Sequence, residues 1–284
     1  KEQPQSTGSS RLFAPYRSVG VVNSGRFHLV PHQNSAQAVV ACPILDRFQL
    51  LQTDRLHPVL VSQSVQNRVE YLVTDPSLSI TVVAHGKNQV DTITLFQRTQ
   101  ACSSLRLARK PWKIRDMVAM GRIKQEANER QENAAVIAMI LGRTKEEDDG
   151  VPVVGDDEDE TEDDENDSDG GHVDAQDDDE SQGEIVILLA TRTSIRIHRR
   201  IPISTICPTV ALHPATYINK LLLGGDGACL VNIRSTKVLH TFTCLPDKTS
   251  ITALEQAPAV DTVAMGTSQG RVHLVNLKHD KLLF

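Results

Sequence analysis

Two stretches of this chain, Thr209 to His240 and Ile251 to Phe284, carry one pattern twice. Each opens with a short apolar strand, passes a turn of small residues, continues as an alternating strand and closes on a lysine followed by aliphatic side chains. The anchors pair as Leu212 with Leu254, Gly224 with Gly266, Val231-Asn232-Ile233 with Val275-Asn276-Leu277, and Lys237-Val238-Leu239 with Lys281-Leu282-Leu283. From Val231 to Val275 the step is 44 residues. A single small sheet of that length cannot bury both of its faces. A unit repeating every ~40–45 residues is therefore stable only when stacked on its neighbours, as the blades of a β-propeller are.

The upstream sequence reads in the same way. Tyr16 to Asn23, Ala36 to Pro43 and Phe48 to Gln52 are β-rich runs, and His57 to Val65 reads as the outer strand that ends a blade. Pro31, Pro43 and Pro58 sit at strand margins, where a missing donor does least harm. Val69 to Asp75, Ile80 to His85 and Asp91 to Arg98 give three more strands, separated by Asp75-Pro76 and by Gly86-Lys87-Asn88. Farther on, Glu126 and Arg130 stand one helical turn apart and favour a short helix over Ile123 to Glu132. Ala134 to Leu141 reads as the inner strand of the next blade, followed by Glu184 to Thr191 and Ser194 to Arg199. Lys1 to Ser10 is polar and reads as a disordered leader. Without it and the acidic run described next, about 235 residues remain, enough for five to six blades of about 42 residues. The expectation is an all-β, WD-repeat β-propeller over 11–284.

Residues 146–183 hold 20 of the 36 acidic residues and no lysine or arginine. Such a run repels itself and stays solvated, so it is expected to be a disordered insertion within a blade. A long surface loop there is tolerated because closure entropy grows slowly with length. Outside it, 30 basic residues face 16 acidic ones, so the net charge of −6 conceals a body of +14. A basic body suits an environment of nucleic acid or acidic protein. Two readings of the acidic run stand: an inert solubilising loop, or a phosphate mimic that binds basic partners or shields the basic face.

The five cysteines, Cys42, Cys102, Cys207, Cys229 and Cys244, show no metal-ligand spacing and read as free thiols in a reducing compartment. The longest apolar run, Ile185 to Ala190, is too short to span a bilayer, so no membrane association is expected. The histidines have no serine, cysteine or aspartate partner at a recognised catalytic spacing, and no nucleophile, base and oxyanion donor can be assembled; the chain reads as a non-enzyme with no cofactor, metal or small-molecule substrate. Gly224, Gly225 and Gly227 precede no Lys-Ser/Thr and read as a hairpin rather than a phosphate cradle. Two basic groups are candidate RNA or partner contacts: Arg106, Arg109, Lys110, Lys113 and Arg115 around Trp112, and Arg192, Arg196, Arg199 and Arg200. For each, a solvated face and a phosphate contact are equally good readings.

The passages HPATYINKLLLGG (His213 to Gly225), TALEQAPAVDTVAMGTSQGRVHLVNLKHDKLLF (Thr252 to Phe284) and RLFAPYRSVGVV (Arg11 to Val22) resemble the tandem-propeller WD-repeat subunit of the UTP-B subcomplex of the small-subunit processome, the WD repeat-containing protein 36 type. The residues carrying the resemblance are His213, Pro214, Tyr217, Asn219, Lys220, Gln256, Pro258, Asp261 and Gly266. The chain departs from the family pattern where a tryptophan is usual in the third strand, having Val231 and Val275, and the Gly224 to Leu230 hairpin is about two residues shorter than Gly266 to Leu274. The resemblance implies that the chain is the N-terminal part of an incomplete first propeller of a tandem-propeller protein, and a non-catalytic nucleolar scaffold for pre-rRNA processing and small-subunit biogenesis, in contact with other WD-repeat subunits, the snoRNP and pre-rRNA. The residues alone also allow a generic WD-repeat interaction module, such as a ubiquitin-ligase adaptor or trafficking coat. For His213-Pro214 and Tyr217 to Asn219, turn chemistry favours a structural role over ligand binding.

Overall fold

A computed structural model describes residues 27–31, 38–87, 90–107, 112–127, 130–143, 181–246 and 249–284. Among the described residues, twenty strands form five four-stranded sheets, each built from strands consecutive in sequence and antiparallel in the first, second, fourth and fifth. The first holds β1 (His28–Pro31), β2 (Ala38–Ile44), β3 (Arg47–Gln52) and β4 (Pro58–Val61). The second holds β5 (Val69–Asp75), β6 (Ile80–His85), β7 (Thr92–Gln97) and β8 (Gln100–Arg106), and the third β9 (Trp112–Ala127), β10 (Arg130–Arg143), β11 (Gly183–Ala190) and β12 (Ile195–Ile203). β13 (Pro208–Leu212), β14 (Lys220–Gly225), β15 (Ala228–Asn232) and β16 (Lys237–Thr241) form the fourth. The fifth comprises β17 (Ile251–Gln256), β18 (Thr262–Thr267), β19 (Val272–Asn276) and β20 (Lys281–Leu282). This is the all-β, five-bladed arrangement of a WD-repeat β-propeller.

The described residues fall into two compact units, one within Lys1–Ala108, Met117–Ile137 and Leu188–His198, the other within Arg109–Asp116, Ala138–Ile187 and Arg199–Phe284. In the first, Phe48, Val69, Val83 and Phe96 pack together, with the Phe48 and Phe96 rings edge to face at 5.3 Å. Such a ring pair adds ~0.5–1.5 kcal/mol to the burial of each side chain. In the second, Val210, Leu222, Leu230, Phe242, Ile251, Val263, Met265 and Val275 join the fourth and fifth sheets through one apolar layer. Central strands are buried on both faces, as in β6 and β11, whereas the edge strands β4, β8 and β16 are largely exposed.

The repeat is reproduced at atomic detail. Asn232 Oδ1 accepts the backbone N–H groups of Arg234 and Ser235, and Asn276 Oδ1 those of Lys278 and His279. These side-chain turns close the hairpins in which Asn232 pairs with Lys237 and Asn276 with Lys281. Val231 and Val275, standing where a tryptophan is usual, are both fully buried. The hairpin difference is real: three residues separate the paired Gly224 and Ala228, and five separate Gly266 and Val272. One anchor needs correction. Val210 pairs with Gly224 and Ala253 with Gly266, so Ala211, not Leu212, is the counterpart of Leu254.

The helix expected over Ile123 to Glu132 is not formed. Residues 112–127 are strand β9 and residues 130–143 its partner β10, because ladder pairing outweighs an ion pair worth ~0.3–0.5 kcal/mol on an isolated helix. Ala134 to Leu141 is consequently not an inner edge strand: β10 lies between β9 and β11. The acidic run separates β10 from β11 in sequence, and Gly183 at its end already opens β11. Strands β1 and β8 have no counterpart in the sequence reading. The expected strand Tyr16 to Asn23, the leader and residues 146–180 lie outside the described residues.

Candidate interaction surface at the blade loops

The motif residues meet where the β13–β14 loop faces the β17–β18 loop. Gln256 ends β17, and its Oε1 accepts the Ala215 N–H at 3.0 Å from the facing loop. Its Nε2 donates to Thr262 O at 2.9 Å and to Ala257 O at 3.1 Å, which holds its own loop closed. Burial first, and then a hydrogen bond to the Asp261 carboxylate, push the Tyr217 hydroxyl up to about 12. Lys220 Nζ lies 5.0 Å from the centre of the Tyr217 ring. Asn219 and Asp261 occupy the same place in successive blades: each has a positive φ, of 57° and 65°, and each carbonyl accepts the N–H of the residue after the next asparagine, Ile233 and Leu277. Asparagine and aspartate tolerate this left-handed conformation better than most side chains. Burial lowers the His213 imidazole below its ordinary value, against a hydrogen bond with the Tyr217 backbone, and leaves its Nε2 buried without a partner.

Pro214 is buried, whereas Pro258 is exposed on the second loop. Gly266 faces Ala253 across the β17–β18 pair, with room for little more than hydrogen. The family-like residues thus form a joint between two consecutive blades. Two neighbouring positions point outward: Ile218 is 79% exposed and Val260 59%.

A second joint was not legible in the sequence. In the β19–β20 turn, Asp280 accepts His240 Nε2 at 3.0 Å, Thr243 N at 3.0 Å, Thr243 Oγ1 at 2.9 Å and Cys244 N at 3.2 Å. Burial raises the Asp280 carboxyl, but these donors outweigh it and hold the group well below the usual carboxylate range. Burial, then Asp280, push the Cys244 thiol up to about 12.

The basic candidates separate into committed and uncommitted groups. Arg106 pairs with Asp91 at 2.9 Å, Arg200 with Glu184 at 2.7 Å, and Arg199 donates to Arg234 O at 2.7 Å. Arg115 is half-buried, with its stem against Gly142. Lys113, Arg192 and Arg196 are exposed. Arg109 and Lys110 lie outside the described residues, and of Trp112 only its place at the start of β9 is described. A recess of about 200 Å³ was missed in the sequence reading; Ser250, Thr267, Gln269, Arg271 and His273 line it, with Pro246 and Thr249 as a wall. Its described lining carries no carboxylate.

No family model matches the chain. It is 47% identical over 74 residues to human WD repeat-containing protein 36, covering 25% of this chain and 8% of that protein. It is 46% identical over 77 residues to the U3 small nucleolar RNA-associated protein 21 homolog of Schizosaccharomyces pombe, covering 26% and 8%. A quarter of this chain is thus similar to WD repeat-containing protein 36. The U3 small nucleolar RNA-associated protein 21 of Saccharomyces cerevisiae extends the likeness at 39% identity over 70 residues, 24% of this chain and 7% of that protein. The matched part spans under a tenth of the length of each of these relatives.

Proposed function

We propose that this chain is a non-catalytic scaffold of the small-subunit processome, acting in the nucleolus in pre-rRNA processing through contacts with other WD-repeat subunits of the UTP-B subcomplex, the snoRNP and pre-rRNA. The observation that carries this reading is the likeness to WD repeat-containing protein 36 and to two U3 small nucleolar RNA-associated proteins, on a five-bladed WD-repeat arrangement. The electrostatics agree: outside the acidic run the body is +14, suited to a phosphate-rich assembly. The uncommitted cations Lys113, Arg192 and Arg196, and the Arg271 and His273 recess, are the phosphate contacts this reading favours. Propellers of this kind act through loops and rims, with blades as the rigid support. Affinity purification of the tagged protein tests the proposal: recovery of UTP-B proteins with U3 small nucleolar RNA is expected, and a purification free of both refutes it.

A further inference from the structure

We infer that the paired loops β13–β14 and β17–β18 form a docking surface for an acidic protein segment with an aliphatic or aromatic anchor. Exposed Ile218 and Val260, at 79% and 59%, sit on loops tied together by the Gln256–Ala215 hydrogen bond. Ala215, Pro258 and Ala259 are exposed around them. A single exposed aliphatic side chain is ordinary, but two on loops joined by a hydrogen bond supply apolar surface for an interaction site. The loops are also rigid. Thr216, Asn219 and Asp261 hold positive φ angles of 69°, 57° and 65°, and Gln256 spans both loops with its amide. A preorganised surface loses little entropy when a partner binds.

The occupant's chemistry follows from the rim. Lys220 follows the β13–β14 loop directly, and the Ile233 N–H to Asn219 O bond brings exposed Arg234 beside it. Leu277 N–H donates to Asp261 O at 2.7 Å, which places exposed Lys278 beside Val260. Of the nearby carboxylates, Asp280 is taken up by Thr243, Cys244 and His240, and Asp261 is half-buried; Glu255 on β17 is exposed. An apolar centre with a cationic rim suits a carboxylate-flanked anchor, with rim charges steering the encounter. Aliphatic tips give RNA bases no aromatic or guanidinium plane to stack on, so a protein segment fits better than single-stranded RNA. The inference rests on the scaffold reading for the existence of a partner, and on the loop geometry for its position.

A photocrosslinking amino acid placed at position 218 of the whole protein in cells tests it, with mass spectrometry of the adduct. The expected adduct is one recurring protein segment of net negative charge, joined at or beside an aliphatic or aromatic residue. Val260→Asp and, separately, Lys278→Glu should each lower its yield about tenfold or more, as loss of an interface anchor or its charge partner does, while the thermal midpoint stays unchanged. An adduct to RNA or to a basic segment, no adduct, or yields indifferent to both substitutions would overturn the surface. Co-purification of UTP-B proteins and U3 small nucleolar RNA without the adduct refutes this surface alone, whereas loss of all three refutes the scaffold reading as well.

Discussion

Gln256 shows how one side chain can join two blades. Its amide closes its own loop through Thr262 and Ala257 and reaches Ala215 in the preceding blade. Gln256→Ala removes these bonds and strands part-buried backbone groups, so it should lower unfolding stability by about 1–3 kcal/mol, read as a lower urea midpoint at unchanged slope. Asp280 gives a pH-dependent counterpart. Its carboxyl lies below its ordinary value of 3.8 when folded, so ionisation favours folding. That contribution is complete above the unfolded value and is lost as pH falls through it toward the folded one. Asp280→Asn should therefore destabilise at neutral pH, and its deficit relative to the wild type should shrink as unfolding is followed below pH ~4. Neither role was legible in the sequence. The partner of Gln256 in the preceding blade lies 41 residues away and those of Asp280 36–40, separations that no local pattern records. Asn232 and Asn276 entered the sequence reading as repeat anchors, and the structure adds their turn role, with partners two and three residues away.

Among the elements, β5 and β6 announced themselves as β-rich runs split by Asp75-Pro76 and have the expected bounds. Strand β8 did not, because both of its faces are largely exposed and its composition is polar. β9 was hidden for a related reason: its distal half, Gly121 to Ala127, is charged and carries a helix-compatible spacing, and pairing with β10 is the only thing that makes it a strand. One turn is set by close approach. A Cβ on Gly225 would overlap the Cys207 carbonyl oxygen and come 2.8 Å from its carbonyl carbon, while Cys207 N–H donates to Asp226 Oδ1 at 2.7 Å. Gly225→Ala should therefore cost about 2–4 kcal/mol through backbone displacement. Gly227→Ala, whose Cβ would meet only a methyl group at 3.6 Å, should stay within ~1 kcal/mol; thermal unfolding of the two variants side by side checks the contrast.

For the whole molecule, the charge division matters more than the total. Removing residues 146–183 changes the formal charge from −6 to +14. Fields from a solvated acidic run are screened within ~8 Å at physiological ionic strength. If the run is an inert solubilising loop, its deletion should leave RNA affinity unchanged near 0.15 M salt and tighten it only at low salt; tighter binding at physiological salt would instead show that the run shields the basic face. The repeat made the blades legible, and the motif residues made the relationship legible. The joint those residues build needed three-dimensional contacts between successive loops. The central claim is a scaffold role in small-subunit rRNA maturation. The most direct measurement is northern analysis of pre-rRNA after depletion of the protein, with and without a wild-type copy restored. The account predicts accumulation of uncleaved early precursor and loss of mature small-subunit rRNA, with large-subunit rRNA spared and recovery on re-expression; unchanged small-subunit rRNA after depletion would contradict it.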